Sequence, residues 1–271
     1  MRAQVTIVPV EALLNTNKKS KPGYDSSKPV KVVITMPAYN AAKTLEKTFE
    51  DIPHDLISQI IMVDDCSHAS TVSIGQALNL TVIKHPHNVG YGGNQKTGYL
   101  EALRSDADIV IMLHPDYQYD PTKIPELIEP ILRGEADIVL GSRFLNNGAL
   151  AGGMPYYKFV ANRCLTTVQN IVLGTHLSEF HTGYRAYSRK FLETVPFLRN
   201  STDFVFDAEI LCQAIAFNFR IAEIGVATRY FPEASSINFR RSVIYGLGVL
   251  NTLVKFSLSK CKLVSCDLFT S

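Results

Sequence analysis

"DIVIMLHPDYQYDP", Asp108–Pro121, carries two signals in one stretch. Ile109 to Leu113 is an unbroken apolar run of strand length, without the polar alternation of a strand that has one face in water. Strands apolar on both faces belong in parallel sheets covered by helices on each side. The run ends abruptly in His114, Asp116 and Gln118, polar side chains at every second position. If the chain stays extended past Leu113, all three point to one side. There an octahedral Mg²⁺ or Mn²⁺ takes one or two of them and keeps positions open for a diphosphate. Imidazole suits Mn²⁺ better than Mg²⁺, and can also simply hydrogen-bond a phosphate. A plain turn rich in Pro and Asp is the competing reading.

Working outward, the same kind of run recurs. "KVVITM" (31–36), "QIIMV" (59–63), "TVIK" (81–84) and "DIVLG" (137–141) read as further strands, and the pieces between them, such as 41–52 and 94–105, have helical length and composition. The expected architecture is an open, mostly parallel α/β sheet flanked by helices, of the nucleotide-binding kind. Ligands in such sheets bind beyond the carboxyl ends of the strands. The residues just after the runs are polar: "PAYN" (37–40), "DDCS" (64–67), "HPHNVGYGGN" (85–94), "HPDYQYDP" (114–121) and "GSRF" (141–144).

Composition narrows the class. The chain has 271 residues, 46% hydrophobic and 19% charged, as an ordinary globular protein has. A net charge of +2 gives no basic stripe for nucleic acid. The five cysteines show no C-x-x-C spacing, so neither a disulfide framework nor a zinc knuckle is expected, and a reducing cytosol is the default compartment. The first thirty residues have no continuous apolar segment of the signal-peptide kind. Residues 14–30 are rich in Lys, Ser, Gly and Pro, so 1–29 are read as an extension, 30–235 as the main domain and 236–271 as a C-terminal helix and tail.

Other residues admit two readings each. Of Asp64 and Asp65, one could accept hydrogen bonds from a base or ribose while the other caps the next helix; both could equally be turn residues. Gly90, Gly92 and Gly93 could let the backbone approach a nucleotide, but they do not form G-x-G-x-x-G. Arg143, Lys158 and Arg163 are candidate phosphate partners or a solvated face. "FHTGYRAYSR" (180–189) puts His181, Thr182 and Arg185 around Gly183, a loop suited to polar contacts, and "DFVFDAEIL" (203–211) sets Asp207 and Glu209 among apolar side chains, as catalytic carboxylates or a structural pair.

Taken in order, "VVITMPAYNAAKTL", "IIMVDDCSHAST", "NVGYGGNQKTGYLEA", "DIVIMLHPDYQYDPTKIPELI", "DIVLGSRF", "FHTGYRAYSR" and "FVFDAEILCQAIAFNFRIAEIGV" resemble the family-2 inverting glycosyltransferases of GT-A fold. The likeness is strongest to the polyprenyl-phosphate, dolichol-phosphate mannose synthase-like branch, and runs from about Val32 to Ala234. It implies a divalent cation, Mn²⁺ or Mg²⁺, on the donor diphosphate, held at an Asp-x-Asp followed two residues on by Gln. Asp116 matches the second Asp and Gln118 the Gln, while His114 replaces the first Asp. By the same resemblance Pro37, Tyr39 and Asp65 with Asp64 hold the nucleotide; Gly92 and Arg185 are further candidate cofactor-binding residues. Arg143 matches an arginine that holds an acceptor phosphate, with Lys158 nearby. "EASSINF" (233–239) occupies the place of a covering loop.

The expected reaction is transfer of a hexose from a nucleoside-diphosphate sugar to a polyprenyl phosphate, with inversion, in cell-envelope glycan synthesis at the cytoplasmic face of a membrane. A phosphate acceptor needs no strong base; a hydroxyl acceptor would need one, and Asp207 or Glu209 is the candidate. A saccharide acceptor and a catalytically silent nucleotide-sugar-binding protein remain alternatives. A nucleotidyltransferase or a nicotinamide oxidoreductase is disfavoured because "PAYNAAKTL" supplies no glycine-rich loop after the first strand. Near the C-terminus Val243, Leu247, Leu250, Val254 and Leu258 recur at helical spacing, either as a helix facing the core or as one lying on a lipid surface.

Overall fold

The apolar runs form the strands. The computed structural model describes residues 29–68, 70–145, 148–230 and 239–270, so the extension up to residue 28 and the covering segment at 233–238 lie outside the described residues. The five strands read from the sequence are β1 Val32–Ala38, β2 Gln59–Asp64, β3 Thr81–Lys84, β4 Ile109–Met112 and β5 Ile138–Ser142. Two more, β6 Arg185–Ser188 and β7 Ile221–Gly225, complete a sheet of order β3-β2-β1-β4-β6-β5-β7. β3, β2, β1 and β4 run parallel, as do β5 and β7; β6 is antiparallel to both of its neighbours.

Helices cover both faces: α1 Leu45–Glu50, α2 Thr71–Ala77, α3 Tyr91–Arg104, α4 Ile124–Leu132, α5 Gly148–Ala151, α6 Tyr156–Leu173, α7 Arg189–Thr194, α8 Phe206–Ala216 and α9 Phe239–Lys260. The absence of alternation in the strands follows from this. Val32, Ile34 and Met36 of β1, with Ile109 and Ile111 of β4, face a layer containing Leu127, Ile128 and Ile131 of α4. Val33, Val110 and Met112 face the other way, toward Tyr99 of α3 and Phe206 and Ile210 of α8. The inner strands β2, β1, β4, β6 and β5 thus bury both pleat faces, while the edge strands β3 and β7 are half-buried, with apolar transfer favouring burial by about 25 cal/mol per Å².

The chain leaves β1 for β2 on one side and returns through β4 on the other, which opens a crevice beyond the carboxyl ends of the parallel strands. Because β6 is antiparallel, its leading residues His181–Tyr184 reach the same edge.

α9 departs from the helix read as core-facing. Its inward face is Val249, Thr252, Leu253 and Phe256, each at most 4% exposed. The stripe singled out in the sequence points largely outward, with Val243 47%, Leu247 63%, Leu250 39% and Val254 57% exposed. Both faces of this helix carry apolar side chains, so periodicity alone did not reveal which one packs.

Candidate active site

A cleft of about 1120 Å³ lies at that edge, and β1, β4, the β5–α5 turn, the loop before β6, α6 and the first turns of α9 all contribute to it. His114, Asp116 and Gln118 line it together. They do so by a route other than the extended one expected. β4 ends at Met112 and the chain turns at Pro115–Asp116, with Tyr117 at φ 58°. Asp116 Oδ1 accepts the Gln118 amide at 3.0 Å, which closes an Asx turn. Tyr117 swings away from the cleft: its hydroxyl donates to Asp51 at 2.6 Å, and Lys47 and Arg229 lie over its ring at 4.5 and 4.4 Å.

Two atoms of this turn are unusual. Asp116 Oδ2 and His114 Nε2 are both shut off from water and have no hydrogen-bond partner. Leaving such groups unpaired is costly, so their convergence on one cleft fits a cation that would complete them. The carboxylate suits Mg²⁺ or Mn²⁺ and the imidazole leans toward Mn²⁺. Among the described residues no three His, Cys, Asp or Glu side chains converge as a metal cage. Gln118, water and ligand oxygens would therefore fill the remaining positions, as is common where a cation rides on a diphosphate. Behind His114, a Cβ on Gly183 would sit 2.6 Å from the imidazole Cε1, so only glycine lets the ring occupy this place.

On the β1–β2 side, Pro37, the half-exposed Tyr39 and Asp65 line the cleft. Asp65 is 3% exposed; its Oδ1 accepts the Val89 amide at 2.8 Å and meets His85 Nδ1 at 3.0 Å, while Oδ2 accepts the Gly90 amide at 3.1 Å. It ties the β3–α3 loop to β2. Asp64 is fully buried, is not part of the cleft, and accepts the Ser67 amide at 3.1 Å. Of the pair, Asp65 lines the cleft and Asp64 lies behind it in the turn, with its Oδ1 buried and without a hydrogen-bond partner.

Arg143, just past β5, also lines the cleft. Its Nε donates to Glu179 Oε1 at 2.9 Å, Nη2 donates to the same carboxylate and to the His181 carbonyl, the latter at 2.9 Å, and Nη1 donates to the Tyr230 hydroxyl at 3.0 Å. Glu179 is fully buried and also accepts the Arg143 amide at 2.8 Å and Asn162 Nδ2 at 2.9 Å. Burial pushes the Glu179 carboxyl up, but Arg143 and these hydrogen bonds outweigh it and hold the group below its usual value. Lys158 of α6 lines the cleft too, and burial followed by repulsion from Arg143 lowers its pKa. Arg143 and Lys158 thus bring two cations to this part of the cleft, with Glu179 as the counter-ion of Arg143.

The sequence profile described as Glycosyl transferase family 2 matches residues 33–195, more than half of the chain. This protein is a family 2 glycosyltransferase. It is 27% identical over 216 residues to the UDP-N-acetylglucosamine–dolichyl-phosphate N-acetylglucosaminyltransferase of Methanococcus voltae, covering 73% of this chain and 86% of that one. It is 24% identical over 204 residues to the polyprenol monophosphomannose synthase of Mycolicibacterium smegmatis, covering 72% and 76%. In fold it is similar to the glucosyl-3-phosphoglycerate synthase of Mycobacterium tuberculosis, solved with Mn²⁺, uridine-diphosphate-glucose and phosphoglyceric acid, at a TM-score of 0.64 and 20% identity over 87% of this chain and 81% of that one.

Three further residues expected at the glycosyltransferase's site lie off the cleft. Arg185 is fully buried away from the cleft and donates to the carbonyls of Thr182, Phe180 and Asp207 at 2.8, 3.1 and 3.1 Å, so it frames the loop before β6. Gly92 packs: its amide donates to the Thr202 carbonyl at 2.8 Å, and a Cβ there would collide with the Ser201 carbonyl. Glu209 lies off the cleft and accepts the Ser201 amide at 2.5 Å, with burial raising its pKa. Asp207 does line the cleft, where it accepts the Tyr91 hydroxyl at 2.9 Å and Gln95 Nε2 at 3.2 Å and pairs with Arg185 at 3.4 Å. Glu179, Asn162, Tyr230 and Tyr245 were missed. Glu179 directly precedes "FHTGYR", and an acidic residue beside that polar loop was the one available signal.

Proposed function

We propose that this glycosyltransferase moves a hexose from a nucleoside-diphosphate sugar to a polyprenyl phosphate, with inversion at the anomeric carbon. The carrying observation is the charge pattern of the cleft lining: the unpartnered Asp116 and His114 after β4, and the cations Arg143 and Lys158 in the same cleft. Dolichyl- and polyprenol-phosphate acceptors in the names of the sequence relatives support the same assignment. The Mn²⁺ and uridine-diphosphate-glucose held by the structural neighbour support the donor end.

Asp65 and Tyr39 bind the nucleoside, and Asp116, with His114 and Gln118, holds Mn²⁺ or Mg²⁺. When bound, the cation neutralises charge that develops on the departing diphosphate. Arg143 and Lys158 bind the acceptor phosphate and orient one of its oxygens toward the anomeric carbon from the face opposite the leaving group. That oxygen is already anionic at neutral pH, so no proton has to be removed. This agrees with the state of the two expected bases: Asp207 is committed to Tyr91, Gln95 and Arg185, and Glu209 lies off the cleft.

In this reading the protein works at the cytoplasmic surface of a membrane, seated there through α9. Arg240–Lys260 is long and apolar enough, by length and composition, to cross a membrane, yet its inward face is used in packing. A helix lying in the interface accommodates both facts.

The deciding experiment measures nucleoside-diphosphate release from UDP-, GDP- and dTDP-sugars with Mn²⁺ or Mg²⁺, with and without polyprenyl phosphate. Release that depends on the lipid phosphate is the expected result and names the donor. Release driven by a saccharide acceptor overturns the acceptor assignment, and binding of a nucleotide sugar without release under any condition overturns the catalytic one.

A further inference from the structure

The C-terminal helix reaches the Arg143 part of the cleft through a polar contact of Tyr245. Tyr245, on the second turn of α9, places its hydroxyl 2.6 Å from His181 Nδ1, and the two rings cross edge-on with centroids 5.5 Å apart. The His181 carbonyl in turn accepts Arg143 Nη2 at 2.9 Å. A chain of contacts therefore runs from α9 through His181 to the arginine assigned to the acceptor phosphate.

Two observations argue against a role in packing alone. α9 is seated further along by Val249, Leu253 and Phe256, which are buried against the core, so the helix does not need the Tyr245 bond to dock. And His181 Nε2 is shut off from water without a partner, whereas a histidine kept for packing ordinarily has both nitrogens satisfied. Both groups are neutral: burial lowers the His181 pKa to about 4 and raises that of the Tyr245 hydroxyl. The contact thus adds no charge to the Arg143–Lys158 end. His181, Tyr245 and Arg143 all line the same cleft, together with Val243 and Gly246 of α9.

We propose that Tyr245 and His181 are positioning residues for the acceptor phosphate: Tyr245 fixes the His181 ring, and with it the place of the His181 carbonyl that, beside Glu179 and Tyr230, orients Arg143 to receive the phosphate. This rests on the polyprenyl-phosphate reading given above. Tyr245→Phe keeps the ring contact and removes the hydrogen bond. Loss of one such bond corresponds to roughly a fivefold change.

The test is steady-state transfer with polyprenyl phosphate varied at saturating donor. Y245F and H181A are expected to raise the acceptor KM about fivefold while kcat and the donor KM hold. Y245F added to H181A should change nothing further, since the tyrosine acts through the histidine. H181N, which sets an oxygen where Nδ1 sits, should recover most of the acceptor affinity lost in H181A. Independent, additive effects of Y245F and H181A overturn the proposal, as does a loss that falls equally on donor KM and kcat, or an acceptor KM indifferent to both variants. If the wild-type protein transfers nothing to polyprenyl phosphate, the functional reading itself fails, and the inference with it.

Discussion

At the level of single residues the donor wall turns on Asp116 and His114. Asp116 already spends Oδ1 on its own turn, so only the buried, unpartnered Oδ2 is open to a cation. Asp116→Ala removes that oxygen together with the Oδ1 bond to the Gln118 amide, and transfer measured at saturating Mn²⁺ should fall by about 100-fold or more, in the range found when a group that stabilises transition-state charge is lost. Full activity of this variant would sink the cation assignment. His114 is the more informative position because imidazole and carboxylate differ in the ion they favour. His114→Asp replaces the softer ligand with a hard oxygen, and the ratio of Mn²⁺- to Mg²⁺-supported turnover should drop. An unchanged ratio would show that His114 acts on the phosphate or on packing against Gly183 instead. The sequence exposed these residues and misjudged how they are presented: period-two spacing pointed to an extended strand, whereas an Asx turn and a left-handed Tyr117 bring the same three side chains round.

Among the elements, α9 does two jobs with two faces. Phe256 is 4% exposed and Leu253 3%, inside the cluster that also contains Ile210 and Leu211 of α8. Phe256→Ala should therefore lower unfolding free energy by about 3–5 kcal/mol, read by denaturant titration. Leu247 and Val254, at 63% and 57% exposure, are on the other face. Replacing both with Glu should leave stability within about 0.5 kcal/mol per site. The same double variant should lose sedimentation with anionic lipid vesicles, because apolar insertion and attraction of Arg240, Arg241, Lys255 and Lys260 to anionic lipid act together in such helices. Vesicle binding that survives the double substitution would remove α9 from the lipid contact. That the stripe Val243–Leu250–Val254 faces out was not legible in the sequence, since a helix with apolar residues on both sides has no single preferred orientation until its neighbours α6 and α8 are in place.

The whole molecule was legible to the extent that its strands bury both faces. β1 to β5 are runs of Val, Ile and Met whose ends fall within two residues of those read, and their polar sequels gather at one edge because parallel strands end together. β6 and β7 escaped, since "RAYS" and "IAEIG" mix charged residues into short segments that only pairing makes strands, β6 with β4 and β5 and β7 with β5. For the same reason the acceptor end was half-read: Arg143 stood out, but its counter-ion Glu179 lies 36 residues away and is brought to it only by the antiparallel β6. One consequence belongs to the fold as a unit. Nucleotide and cation would bridge Asp65 on the β2 side and Asp116 beyond β4, on either side of β1. A ligand that binds the native state alone stabilises it by about 2.7 kcal/mol at a hundred times its Kd. For a chain of this size that corresponds to a rise in Tm on the order of 5 °C. Nucleoside diphosphate with Mn²⁺ should produce this rise, chelation should abolish most of it, and Asp116→Ala should be indifferent to the metal while keeping whatever part the nucleoside contributes through Asp65. A metal-dependent rise that persists in Asp116→Ala would place the cation elsewhere in the cleft, and the base that gives the largest rise names the donor without any acceptor present.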